Sequence, residues 1–305
     1  MAGTQTSPHV WHPPYSPPMT DFSPIVSPEA LLEDLARPDL RIVDVRWVLG
    51  SPGGGRAAYE AGHIPGAIFL DLDTDLRAPS GPGRHPLPDP RVFRERIEAV
   101  GIGAEDRVVA YDDAGGSIAA RLWWMLDNLG HRRVAVLDGG IGAWVAAGYP
   151  LTTDPPVVRA PGRLELGDTW TNVIDRDDVV AGLGSMVLLD ARAAPRYRGE
   201  VEPIDRVAGH IPTATNAPSG GNLGPDGRLL DPAALAARYR DLGADRTDVP
   251  VVTSCGSGVT ACFTSLAMRV AGLPEPILYP GSYSDWTQTG LPIAVGPEPG
   301  EPPGR

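Results

Sequence analysis

The feature that most constrains this fold is an internal repeat spanning nearly half of the chain. Ile42-Val43-Asp44-Val45-Arg46 returns as Leu188-Leu189-Asp190-Ala191-Arg192, with Asp190 lying 146 residues after Asp44. Gly62-His63-Ile64-Pro65 returns as Gly209-His210-Ile211-Pro212 at an offset of 147. Leu137-Asp138-Gly139-Gly140 through Trp144 returns as Leu278 through Trp286, where the tryptophans are 142 apart. Near-constant offsets over most of a chain mean two copies of one unit. A length of 305 residues fits two domains of roughly 150 residues each.

Within each copy, short apolar, β-branched runs alternate with helical patterns. In the first copy, Ser27-Pro28-Glu29 signals a helix start leading into Ala30–Ala36. Strands are expected at Arg41–Trp47, Arg107–Tyr111 and Val134–Leu137, and helices at Asp89–Val100, Ser117–Leu129 and Ile141–Ala147. In the second copy, strands are expected at Met186–Ala191, Val249–Ser254 and Pro276–Tyr279, and helices at Asp175–Leu183, Asp231–Leu242 and Ala261–Val270. Such alternation implies the α/β class, each copy forming a mostly parallel sheet covered by helices on both faces. Asp71–Pro90 is a long polar and proline-rich connection. The expected division is a disordered tail over 1–21, a first domain over 22–151, a linker over 152–167, a second domain over 168–295 and a tail over 296–305. The N-terminal stretch is rich in Pro, Ser and Thr, lacks the pattern of a secretory signal, and places Met19 as an alternative start.

The net charge of -12, with no basic stripe to offset it, argues against a nucleic-acid or anionic-membrane surface. No run approaches the length needed to span a bilayer. Two cysteines, Cys255 and Cys262, are too few for a disulfide scaffold, and a cytoplasmic setting is the simplest.

The chemistry concentrates where the copies differ. Val108-Val109-Ala110-Tyr111-Asp112 aligns with Val251-Val252-Thr253-Ser254-Cys255, so Asp112 stands where the second copy has Cys255. A carboxylate cannot do thiol chemistry, which makes the first copy a non-catalytic partner. Cys255 ends an expected strand, and Gly256-Ser257-Gly258 leads into a helix. That arrangement lets backbone N–H groups converge on a thiolate, with the helix dipole assisting.

These residues resemble the two-domain rhodanese sulfurtransferases over roughly residues 22–295. The resemblance rests on Gly62-His63-Ile64-Pro65-Gly66-Ala67, Arg121-Leu122-Trp123-Trp124-Met125 and Cys255-Gly256-Ser257-Gly258-Val259-Thr260. It implies two tandem rhodanese-like domains, and a Cys255 that takes a sulfur atom as a persulfide and passes it to a nucleophile. The Cys-Gly-Ser-Gly-Val-Thr loop is similar to the 3-mercaptopyruvate branch, whereas the thiosulfate branch has cationic residues after the cysteine. Thiosulfate as donor therefore stands as the alternative. The implied acceptors are a thiol, cyanide or a thioredoxin-like partner. No metal cluster, phosphate loop or dinucleotide fingerprint is present in the sequence, so no cofactor is expected.

The resemblance also implies roles for individual residues. Cys255 and Ser257 are the candidate catalytic pair, with Gly256, Gly258, Val259 and Thr260 completing the loop. Arg196 matches the position that binds the donor's acid group. A second arginine is expected shortly before the Gly-His-Ile-Pro turn, and Arg206 is the nearest candidate. His63 belongs to an element said to face the interdomain cleft, where a Ser-His-Asp relay has been proposed. Gly53-Gly54-Gly55 occupies the region that would carry its Asp, and the matching His210 points to a shared structural role. Trp123 and Trp124 read as interface or core, and Thr213 replaces the usual glycine of the second turn. Cysteine-phosphatase chemistry needs an arginine six positions after the cysteine, and Ala261 stands there. A non-catalytic sulfur-carrier docking module would be expected to lack the cysteine in both copies.

Overall fold

A computed structural model describes residues 22–157 and 159–303. The tail expected over 1–21, with its alternative start at Met19, lies outside the described residues, as do the last two residues. The first copy runs β1 (Ile25–Val26), α1 (Pro28–Asp34), β2 (Leu40–Asp44), α2 (Gly54–Ala61), β3 (Ile68–Phe69), α3 (Pro90–Ala99), β4 (Arg107–Tyr111), α4 (Ala119–Asn128), β5 (Val134–Leu137) and α5 (Gly140–Ala146). The second runs α6 (Arg176–Gly182), β6 (Val187–Asp190), α7 (Ala194–Tyr197), β7 (Ala214–Asn216), a 3-10 turn at Ser219–Asn222, α8 (Pro232–Asp241), β8 (Val251–Ser254), α9 (Thr260–Val270), β9 (Ile277–Leu278) and α10 (Ser282–Trp286).

Both sheets are parallel throughout. The first has the strand order β1-β5-β4-β2-β3 and the second β7-β6-β8-β9. A single parallel bridge from Val173 to Leu278 takes the place that β1 holds beside β5. The central strands β4, β5 and β8 are buried almost throughout, because helices cover both faces of each sheet.

Local chemistry sets the helix starts. Ser27, Asp89 and Asp231 each precede a proline, and their side chains accept from the free N–H groups of the first turn. Three short strands, β1, β3 and β7, were not legible as apolar runs, because edge strands of two or three residues carry too little pattern. Strand β2 ends at Asp44 rather than at Trp47. The Asp44 carboxylate accepts from the Arg46 backbone N–H (2.9 Å), pairs with the Arg46 guanidinium and accepts from the Tyr111 hydroxyl (2.7 Å), which bends the chain out of the sheet. Asp190 and Arg192 repeat the backbone and guanidinium bonds in the second copy. Gly53 caps α2, and Gly54 and Gly55 are its first residues.

The copies meet along α4 and α9. Every residue of α4 from Ala119 to Asp127 is buried, as is every residue of α9 from Ala261 to Met268. Each helix packs on its own sheet with one side and on its partner with the other, so neither can be amphipathic. A single apolar cluster crosses the boundary, joining Trp123, Trp124 and Met125 to Cys255, Phe263 and Leu266. Arg269 ties the far end, pairing with Asp127 (2.8 Å) and lying 4.9 Å over the Trp123 ring. Among the described residues no helix is long and apolar enough to cross a membrane.

Candidate active site

Strand β8 delivers Cys255 to the carboxyl edge of the second sheet, where parallel α/β sheets place their ligands. The side chain is 2% exposed. The N–H groups of Ser257 (3.4 Å) and Gly258 (3.1 Å) both donate to its Sγ. The first turn of α10 supports this loop from behind. Ser282 Oγ accepts from the Cys255 N–H (3.1 Å), Tyr283 N–H donates to the Cys255 carbonyl and Ser284 N–H donates to the Gly256 carbonyl. Gly258 sits at φ +75°, and a β-carbon there would collide with the Pro280 carbonyl. Only glycine satisfies both constraints. The structure thus gathers Cys255, Gly256, Ser257, Gly258 and Val259 into one turn, which Thr260 closes as the first residue of α9.

Ser257 faces outward from the loop, and its Oγ is 2.8 Å from Nδ1 of His85, a residue of the first copy. The other ring nitrogen of His85 lies 3.4 Å from Asp73 Oδ1, and the Trp47 indole, itself bonded to Asp73 (2.7 Å), stands edge-on to the ring. Burial pushes His85 down to about 4, with the nearby Arg121 charge adding to the effect. The ring is neutral at physiological pH. In the tautomer protonated at Nε2 toward Asp73, Nδ1 is left to accept from the Ser257 hydroxyl. A serine, histidine and aspartate are therefore in line. The histidine is not His63, which is 1% exposed, stacks on Tyr59 at 4.0 Å, and turns its ring nitrogens to the carbonyls of Tyr59 and Asp154. His210 repeats that arrangement with Tyr197 and Glu298, so both histidines serve their own turns.

Two guanidinium groups lie over Gly256. A β-carbon built there would come within 2.9 Å of Arg84 Nη2 and 3.5 Å of Arg196 Nη1. Arg196 is carried by α7, and pairs with Glu202 (2.8 Å) and Asp205 (2.9 Å). Arg84 comes from the first copy, pairs with Asp205, and is anchored by its backbone N–H to Ser284 Oγ (3.0 Å). Arg206 is exposed and joins neither group, so the second arginine over the loop is Arg84. Burial pushes the Asp205 carboxyl up, against the pull of Arg84 and Arg196.

Sequence reasoning missed Asp73, Arg84 and His85, which all lie in the Asp71–Pro90 connection. A connection of that length without secondary structure of its own is unusual, and this was the available signal. It crosses onto the second copy and caps the loop there. Cys262, by contrast, is fully buried on α9, donates to the Gly258 carbonyl (3.3 Å), and is pushed up to about 12 by burial. Both cysteines are unbridged.

The equivalent loop of the first copy is already occupied by its own side chain. The Asp112 carboxylate is wholly buried and accepts from four backbone N–H groups, those of Ala114, Gly116, Ile118 and Ala119, at 2.6–2.9 Å. This loop geometry is an anion cradle, filled by a carboxylate in one copy and presenting a sulfur in the other.

Comparison with known proteins agrees with the repeat. The model of the rhodanese-like domain matches residues 27–147 and again 175–289. A Pseudomonas aeruginosa protein named "Probable 3-mercaptopyruvate sulfurtransferase" is 46% identical over 89% of this chain and 98% of its own length. A Mus musculus thiosulfate sulfurtransferase is 34% identical over 82% of this chain and 85% of its own. The 3-mercaptopyruvate sulfurtransferase structure from Leishmania major superposes with a TM-score of 0.78 at 32% identity, covering 88% of this chain and 75% of that one.

Proposed function

The chain belongs to the family of rhodanese-like domain proteins and is a sulfurtransferase, and we propose that it takes its sulfur from 3-mercaptopyruvate. In this reading Cys255 is the nucleophile. Its thiolate attacks the donor sulfur, the carbon–sulfur bond breaks, and the electron pair leaves on carbon as the enolate of pyruvate. The donor's thiol proton moves to that carbon, with the Ser257 hydroxyl and neutral His85 as the path, giving pyruvate and Cys255–S–S⁻. An acceptor thiolate or cyanide then attacks the outer sulfur. The S–S bond breaks and its electron pair returns to Cys255 as thiolate.

The observation that carries the donor assignment is the charge balance over Gly256. Two guanidinium groups stand there beside two buried carboxylates, Glu202 and Asp205, so the mouth of the site is close to neutral. A donor with one carboxylate can share these arginines bidentately. Thiosulfate carries two charges, and its leaving sulfite needs a surplus of positive charge that Gly256 and Ser257 do not supply. The second reading, thiosulfate as donor, is favoured only by Arg84, the cation absent from the loop sequence. Turnover of mercaptopyruvate and thiosulfate, each with cyanide as acceptor, decides between them; a higher kcat/KM for thiosulfate would overturn the assignment.

The unbridged Cys255 and Cys262 suit a reducing compartment, and we place the protein in the cytoplasm. A small thiol, cyanide or a thioredoxin-like protein would serve as acceptor.

A further inference from the structure

Arg121 is the residue that the chemistry above leaves unused. It lies on α4, in the first copy, and is 0% exposed. Nη1 donates to the Gly258 carbonyl (3.1 Å), and Nη2 to the carbonyls of His85 (3.0 Å) and Leu76 (3.5 Å). Its Nε finds no partner. Among the described residues no carboxylate forms an ion pair with it. An arginine held in an apolar interior on backbone carbonyls and the neutral Cys262 thiol is a costly arrangement, because neutral partners do not cancel a whole charge.

The charged and titratable groups facing the Cys255 loop show what could cancel it. The Asp71–Pro90 connection contributes Arg84, His85 and, through His85, Asp73. The second copy contributes Arg196 with Glu202 and Asp205, the Asp190–Arg192 pair behind them, and Tyr283 and Asp285 of α10. Arg84 and Arg196 already have Asp205 and Glu202. Asp285 is taken by Arg176 and the Tyr279 hydroxyl. His85 is neutral, and Cys262 stays a thiol. Burial pushes the Arg121 guanidinium down, and the groups opposing it are the Cys262 and Cys255 sulfurs. Of those two, Cys255 is the sulfur that the proposed reaction uses as nucleophile and carries as persulfide.

We propose that Arg121 is the fixed counter-charge for the anionic sulfur at Cys255, as thiolate and as persulfide, supplied across the domain boundary by the copy that has no nucleophile. Its bond to the Gly258 carbonyl also fixes the far side of the residue whose N–H donates to Cys255 Sγ. Arg121 is a positioning residue with an electrostatic role, and this role rests on Cys255 being the reactive sulfur.

The test is the rate of Cys255 alkylation by iodoacetamide across pH, with the modified peptide identified by mass. In the parent chain the label on Cys255 checks the nucleophile itself; its absence would sink that reading whatever Arg121 does. In Arg121→Gln the rate at neutral pH is expected to fall about tenfold and the whole profile to move to higher pH. Arg121→Lys keeps the charge, and its profile should stay near the parent's. Arg269→Gln weakens the same helix–helix interface at its other end and should leave the profile in place. An Arg121→Gln profile matching the parent's overturns the proposal. So does an upward move in Arg121→Lys as large as in Arg121→Gln, or an equal move in Arg269→Gln. If Arg121→Gln does not fold, a tenfold loss of rate in Arg121→Lys or in Arg269→Gln overturns the proposal by itself, and parent-like profiles in both support it.

Discussion

His85 Nδ1 lies 2.8 Å from Ser257 Oγ, although 172 residues of chain separate them and the two belong to different copies. The contact joins the proposed acid–base group of one half to the cysteine loop of the other. Because the His85 ring is held neutral by burial, it can accept a proton at neutral pH without first losing one. Replacing His85 by Gln should lower kcat for sulfur loading about a hundredfold while changing the donor KM much less, as steady-state kinetics would register.

The same histidine makes stability depend on pH. Its folded value of about 4 lies below the unfolded value of 6.5, so between these limits the unfolded chain binds more protons. Stability is therefore retained above pH 6.5, falls as the pH drops from 6.5 toward 4, and levels off below. The loss amounts to about 3 kcal/mol at most. Chemical unfolding of the parent and of His85→Gln, at pH 7.5 and pH 4.5, should show the smaller difference in the variant; equal differences would mean that the ring is not buried as a neutral base.

Sulfur should load on one cysteine only. Treatment with mercaptopyruvate in the absence of acceptor is expected to add one sulfur mass to the peptide bearing Cys255 and none to that bearing Cys262. The Cys262 thiol is fully buried and pushed up to about 12, which leaves almost no thiolate at neutral pH. A label on Cys262 would refute the assignment.

Arg84 and Arg196 should matter to the acidic donor and Arg206 should not. Arg196→Ala and Arg84→Ala are each expected to raise the donor KM about tenfold, the order of one charge-assisted contact, with acceptor use less affected. Arg206→Ala should be silent. An unchanged KM in Arg84→Ala would remove the first copy from donor binding.

Asp112 should be a stability residue. Asp112→Ala strips the acceptor from four buried N–H groups and is expected to cost about 3 kcal/mol in chemical unfolding. Below the unfolding transition, sulfur loading at Cys255 should persist; its loss in a folded variant would tie Asp112 to the chemistry.

Much of this was legible in the chain because a repeat constrains itself. Asp44 and Asp190, His63 and His210, and the strands leading to Asp112 and Cys255 each occur twice in matching positions, so one occurrence interprets the other. The strand bounds of β4 and β5 followed from uninterrupted apolar runs. What escaped was whatever depended on contact between copies. His85 and Arg84 sit in a connection without periodicity, and no spacing rule places them near Ser257 or Gly256. Arg121 was visible within a motif, yet a cation in an apolar helix gives no sign of what it faces. Thr213 is a smaller case: it is held at φ +70°, where the first copy has Gly66 at φ +81°, and its backbone N–H on the Pro299 carbonyl keeps it there.

The path of residues 71–90 across the boundary has a consequence for the protein's descent. When a duplicated half loses its nucleophile, it would ordinarily be released from selection for chemistry and could drift toward any sequence that still folds. Here the half without the cysteine lends His85 and Arg84 to the half that has it. On the proposed mechanism a mutation in either half bears on one reaction, so the half without the cysteine is a working part and no relic.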